Sequence, residues 1–185
     1  MIEDRDKQEH LKKLILLAKS GDDKAFDEVY GEYYTPIFRY IITRIKDRDE
    51  ALDMTQIVFM KIWQYIPKWT DEHTSPLAFF FTVARNTLID YFRKNSHRDI
   101  VSDEIVHIFS ETHGTLDREN KDYELNQIMI QAIEKLSKEQ QEIITLFYTH
   151  DLTYKEIATI LSKKEDAIRQ IHSRAIKKLR DIYEY

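Results

Sequence analysis

The side chains able to do chemistry in this chain are seven histidines and a large set of carboxylates, with no cysteine at all. His10, His73, His97, His107, His113, His150 and His172 never fall into an H-E-x-x-H or other metal-ligand spacing. Without cysteine there can be no disulfide, thiolate zinc site or thiol nucleophile, which fits a reducing compartment. No glycine-rich phosphate loop is present either. What remains is the chemistry of recognition. Near the C-terminus, Arg169 and Gln170 carry planar two-pronged groups suited to base edges, while Ser173 and Lys177 suit phosphate oxygens. The expectation is a binding protein with no catalytic residue, metal or cofactor.

The element that must carry these residues lies in LTYKEIATILSKKEDAIRQIHSRAIKKLR. Leu152, Ile157, Ala158 and Leu161 mark a short helix, Ser162 to Lys164 a tight turn, and Glu165 the start of a longer helix. That layout predicts a helix-turn-helix, whose second helix can enter the major groove. At about 100° per residue, Ile168, Ile171, Ala175, Leu179 and Ile182 share a narrow sector that must face a core. Asp166, Arg169, Gln170, Ser173 and Lys177 lie opposite, with Arg174 and Lys178 flanking them and better placed for the DNA backbone. A solvated helix face would also be charged. The one-signed charge favours DNA: Lys163 to Arg180 holds seven basic residues against Glu165 and Asp166.

The whole chain of 185 residues is 42% hydrophobic and 33% charged, with only three glycines and three prolines. It can bury cores, and its composition predicts an all-α fold. Its formal net charge of −5 arises in one place. Arg98 to Glu124 carries eight acidic residues against three basic ones. Helical periodicity runs from about residue 8 to 94 and again from about 123 to 182. The aperiodic, polar stretch between them reads as a linker. The expected organisation is therefore two small helical domains, 1–95 and 123–185, joined by an acidic linker at 96–122.

In the first block, Ser20 to Asp23 form a capping pattern ahead of Ala25, Phe26, Val29, Tyr30 and Tyr33. KDRDE breaks the period before DEALDMTQIVFMKIW. There Asp53, Gln56, Ile57 and Met60 share one face, with Trp63 at its edge, while Met54, Val58 and Ile62 lie on another. Two apolar-containing faces on one helix fit either a helix buried on both sides or one core face plus a protein interface. Further on, KWTDEHTSP is a polar loop, and Pro76 suits the first turn of a helix to about Lys94.

The ordered set GDDKAFDEVY, ALDMTQIVFMKIW, ARNTLIDYFRK and LTYKEIA…AIRQIHSRAIKKLR resembles the extracytoplasmic-function (ECF) subfamily of bacterial RNA polymerase sigma factors. The resemblance covers nearly the whole chain. It implies an N-terminal domain that docks on the polymerase clamp helices and recognises and melts the −10 element, and a C-terminal domain, near the polymerase flap, that reads the −35 element. It makes Asp53, Gln56, Ile57, Met60 and Trp63 the docking set. It also implies that KWTDEHTS, with Lys68, Trp69 and His73, receives a flipped base, helped by Arg85, Asn86, Asp90 and Arg93. Asp90 and Arg93 are equally spaced to pair with each other. The acidic linker is then a segment that threads into polymerase, and a cognate anti-sigma factor, often membrane-associated, is an expected partner. Ser162, Lys163 and Phe79 stand where the family commonly has Gly, an apolar residue and Trp.

Two other classes compete. An autonomous helix-turn-helix regulator would need a ligand pocket, receiver or dimer interface in the first block. An enzyme would need a site that the histidine spacing does not supply. The polar start MIEDRDKQEH does not read as a signal peptide, and stretches such as LAFFFTVA are far shorter than the roughly 20 residues of a membrane span. A cytoplasmic protein that is not itself in a membrane is expected, with no added regulatory domain after Tyr185.

Overall fold

The computed structural model describes residues 2–45, 47–70, 75–94 and 131–183, with side chains from Gln8 to Ile182. The acidic linker at 96–122, and Asp71 to Thr74 with His73 among them, lie outside the described residues. Among the described residues every regular element is helical: α1 (Ile2–Lys19), α2 (Asp23–Ile42), α3 (Arg48–Tyr65), α4 (Pro76–Lys94), α5 (Lys138–Tyr148), α6 (Tyr154–Leu161) and α7 (Glu165–Tyr183). A single 3-10 turn, Ile66–Lys68, follows α3. Two compact units result, Met1–Asp99 with Thr159–Leu161, and Ile100–Ala158 with Ser162–Tyr185.

The helix starts follow from capping chemistry. Asp22 accepts from the amides of Lys24 and Ala25 at the start of α2. Asp47 does the same for Asp49 and Glu50 at α3, so that helix begins at Arg48, just ahead of the apolar run. Ser137 and Gln140 form a reciprocal capping box at α5.

In the first unit α3 lies against both α2 and α4. Its inward stripe, Ala51, Met54, Val58, Phe59 and Ile62, is buried together with Val29, Ile37 and Ile41 of α2 and Phe80, Phe81, Ala84 and Leu88 of α4. Two polar links tie α3 to α4. The Tyr91 hydroxyl donates to Glu50 Oε2 at 2.5 Å, and Lys61 Nζ donates to Thr87 Oγ1 at 3.1 Å. On the other side, His10 Nε2 of α1 lies 3.2 and 3.3 Å from carboxylate oxygens of Glu28 and Glu32 on α2. These are the described groups closest to a metal-ligand set. All three are exposed, and exposed acidic groups beside a histidine make no site by themselves.

In the second unit, α7 packs on a cluster formed by Ile133, Leu136, Ile144 and Ala175, with Ile176 and Leu179 at its edge. Buried Gln141 directs Nε2 at the carbonyls of Ile133, Glu134 and Leu136, at 3.0, 3.3 and 3.2 Å. It thereby satisfies backbone acceptors of the turn that leads into α5.

Candidate nucleic-acid and partner interfaces

On α3 the residues opposite the core stripe form one exposed strip. Asp53 and Gln56 are exposed, and Ile57, Met60 and Trp63 are 42%, 61% and 39% exposed. Contiguous exposed apolar side chains of this kind are more than the scattered ones that any surface carries. Beside the strip, α2 adds a second wall that the sequence did not signal. Asp23, Phe26, Asp27 and Tyr30 face Gln56, Phe59, Met60 and Trp63 across a groove of ≈ 360 Å³. Phe26 and Trp63 meet edge to face at 4.7 Å, and Tyr30 lies 4.7 Å from the Phe59 ring. Gln56 Nε2 donates to the Tyr30 hydroxyl at 3.2 Å. The surface is apolar at its floor and acidic at its rim.

The α4 residues fall on one outer face. Asn86 and Arg93 are exposed, Arg85 and Asp90 half-buried, and Ile89 is exposed beside them. Arg93 Nη2 and Asp90 Oδ1 form the i, i+3 ion pair at 3.0 Å that their spacing allows. Lys68 is exposed at the end of the 3-10 turn. Trp69 is 5% exposed. The turn introduced by Pro67 carries the chain inward, where its amide donates to the carbonyl of Ile66 and its own carbonyl accepts from Lys19 Nζ at 3.0 Å. An indole removes some 150–250 Å² of surface from water when buried, which outweighs the polar character of its neighbours.

In the second unit α6, the turn and α7 take the positions expected of a helix-turn-helix. Ser162 adopts φ 54°, a left-handed conformation that ends α6. Lys163 N donates to the carbonyl of Ala158 at 2.9 Å, the 6→1 bond of a Schellman cap. On α7, Asp166, Arg169, Gln170, Ser173, Arg174, Lys177 and Lys178 are all exposed, while Ile168 and Ala175 are fully buried and Ile171, Leu179 and Ile182 partly so. Two of the exposed cations already have partners. Lys178 Nζ donates to the carbonyl of Lys135. The Arg169 guanidinium lies 4.7 Å from the centre of the Tyr154 ring and is paired with Glu165. His172, treated in the sequence only as a possible metal ligand, is 8% exposed. It sits among Phe147, Tyr148 and Tyr154, with Nδ1 hydrogen-bonded to the Tyr154 hydroxyl at 3.2 Å, and burial lowers its pKa.

Comparison with known proteins agrees with both units. The profile of sigma-70 region 2 matches residues 29–98, and that of sigma-70 region 4 matches residues 132–181. The ECF RNA polymerase sigma factor SigM of Bacillus subtilis is 27% identical over 157 residues, spanning 85% of this chain and 94% of SigM. The chain belongs to the ECF sigma factors. Another such factor, BldN of Streptomyces coelicolor, is 28% identical over 171 residues, covering 90% of this chain and 63% of BldN. The fold is shared with CnrH, solved in complex with the cytosolic domain of CnrY, at TM-score 0.65 and 17% identity over 95% of this chain and 97% of CnrH. It is also shared with the sigma factor RpoE of Bartonella quintana, solved with the anti-sigma factor NepR, at TM-score 0.61 and 20% identity over 87% and 98% of the two chains. As an ECF sigma factor the protein binds core RNA polymerase and directs it to promoters, and it is not an enzyme. No helix among the described residues is long and apolar enough to cross a membrane.

Proposed function

We propose that this sigma factor divides its work by unit. Residues 1–95 dock on the polymerase clamp helices and open the −10 element, 96–122 thread into polymerase, and 123–185, beside the flap, read the −35 element as duplex. The observation that carries the docking part is the α3 strip: five neighbouring residues, Asp53, Gln56, Ile57, Met60 and Trp63, exposed on a helix whose other side is core. A partner that covers it needs an apolar centre and basic edges to meet Asp23, Asp27 and Asp53.

For DNA, Lys68, Asn86 and Arg93 offer donors on the outer surface of the first unit, with Arg85 and Asp90 beside them, and His73 joins the set by its place in the sequence. In the second unit Arg169 and Gln170 face base edges, Asp166 and Ser173 lie beside them, and Arg174, Lys177 and Lys178 meet phosphates. Trp69 belongs to the same set, as the ring on which a flipped base stacks. CnrH and RpoE are held by CnrY and NepR in their complexes. A cognate anti-sigma factor, membrane-associated or not, is the corresponding partner here, and a cytoplasmic location follows from work on polymerase.

The deciding experiment is transcription reconstituted from core polymerase and the purified chain on a library of promoter fragments. Specific initiation that depends on the chain is expected. Tight binding to a duplex operator without polymerase, and no directed initiation, would make it an autonomous regulator instead.

A further inference from the structure

The Arg169 side chain is the most constrained of the exposed groups on α7, and the manner of its constraint is informative. Its Nε and Nη2 both donate to Glu165 Oε1, at 3.1 and 2.5 Å, one turn earlier on the same helix. Its Cζ lies over the Tyr154 ring, 4.7 Å from the centroid. Tyr154 is the first residue of α6, so the contact crosses the turn of the helix-turn-helix. The Tyr154 ring is fixed in its turn, stacked on Phe147 at 4.8 Å and hydrogen-bonded through its hydroxyl to buried His172.

A guanidinium has five N–H donors arranged as two forks. Here the side fork, Nε and Nη2, is occupied by Glu165. The end fork, made by the outer hydrogens of Nη1 and Nη2, is left pointing away from the carboxylate. That fork has the spacing for O6 and N7 of a guanine in the major groove. An arginine held on two sides before it meets DNA also loses less rotamer freedom when it binds.

We infer that Tyr154 and Glu165 are positioning residues that preset Arg169 to read one guanine of the upstream promoter element, with His172 holding the Tyr154 ring in place. The inference rests on the assignment of α7 as the DNA-reading helix. Glu165 thereby acts through Arg169 and makes no base contact of its own.

The test selects duplexes from a library randomised across the upstream element, using holoenzyme reconstituted from the full chain and core polymerase. Affinity is then measured for the selected duplex and each of its single base-pair variants. One position should require guanine, and Arg169→Ala should erase that preference, a loss of about 10- to 100-fold in discrimination. Tyr154→Leu should erode the same preference about tenfold, Glu165→Gln several-fold, and neither should change discrimination at other positions or the salt dependence. Tyr154→Phe, which keeps the ring, should retain most of it. Tyr154→Leu combined with Arg169→Ala should be no worse than Arg169→Ala alone, because the two act through one contact.

Full guanine preference in both Tyr154→Leu and Glu165→Gln would overturn the inference while leaving α7 as the reading helix. So would an even loss at every position, which would mean a structural role, or tighter binding to all duplexes in Glu165→Gln, which would make Glu165 a mask. If Arg169→Ala itself left every preference intact, the assignment of Arg169 to the reading face would fail first.

Discussion

Gln56 of α3 donates its side-chain amide to the hydroxyl of Tyr30 on α2, 3.2 Å away at the exposed surface. The bond fixes the polar edge of the groove without contributing to the core. Gln56 can therefore be changed with little effect on folding, since exposed hydrogen bonds contribute little to stability, whereas the Tyr30 ring also packs on Phe59.

Asp53→Ala combined with Gln56→Ala is expected to weaken core-polymerase binding by about tenfold or more, the scale of a hot-spot loss. The thermal midpoint and DNA binding by the second unit should stay as they are. Fluorescence titration of labelled chain with core polymerase measures the first, and a melting curve the second. Unchanged polymerase affinity would return both residues to a purely structural role.

Ser162 supplies the left-handed turn between α6 and α7 at φ 54° with a side chain that disfavours it. Ser162→Gly is expected to stabilise the fold by about 0.5–1 kcal/mol, because glycine enters this region without steric cost. Urea denaturation of the two proteins checks the sign. A less stable variant would show that the serine hydroxyl or the unfolded-state entropy of glycine outweighs the relief of strain.

Gln141→Leu fills the same space and removes the donor that serves three carbonyls before α5. A loss of about 1–3 kcal/mol is expected, since the buried Leu136 carbonyl loses this donor, while that of Ile133 keeps the Leu136 amide. Hydrogen exchange should show the loss in amides of α5 and α7, whereas those of α1 to α4 should be unaffected.

Burial holds the pKa of His172 below its ordinary value of 6.5. The unfolded chain takes up a proton as pH falls through 6.5, and the folded one resists. His172 therefore contributes stability that is present above pH 6.5 and lost as pH drops through and below it. Comparing urea midpoints at pH 7.5 and pH 5.0, the wild-type protein should lose more stability on acidification than His172→Phe. Equal losses would show that His172 protonates as readily folded as unfolded.

Helical periodicity sufficed to place α3 and α7, because both have a stripe of core residues and an opposing stripe whose angular separation is set by 3.6 residues per turn. Ile57, Met60 and Trp63 were separable from Met54, Val58 and Ile62 for that reason alone. Contacts between elements were not legible. Phe26 and Tyr30 read as the apolar face of α2, and nothing local says that they border a groove shared with α3. Trp69 sits among polar residues in sequence, so its burial depends on the path of the chain after Pro67. Tyr154 and His172 are 18 positions apart and meet only because α6 and α7 fold against α5. The Glu165–Arg169 pair, by contrast, has the i, i+4 spacing that a helix rewards.

The position of α3 has a kinetic consequence. It is held along its length, by α2 on one side and through Tyr91 and Lys61 to α4 on the other. If the outer strip is the docking surface, capture of a partner there should proceed without a folding step in α3. The encounter rate is then set by diffusion and by the field of Asp23, Asp27 and Asp53 around the groove, and it should fall as salt screens those charges.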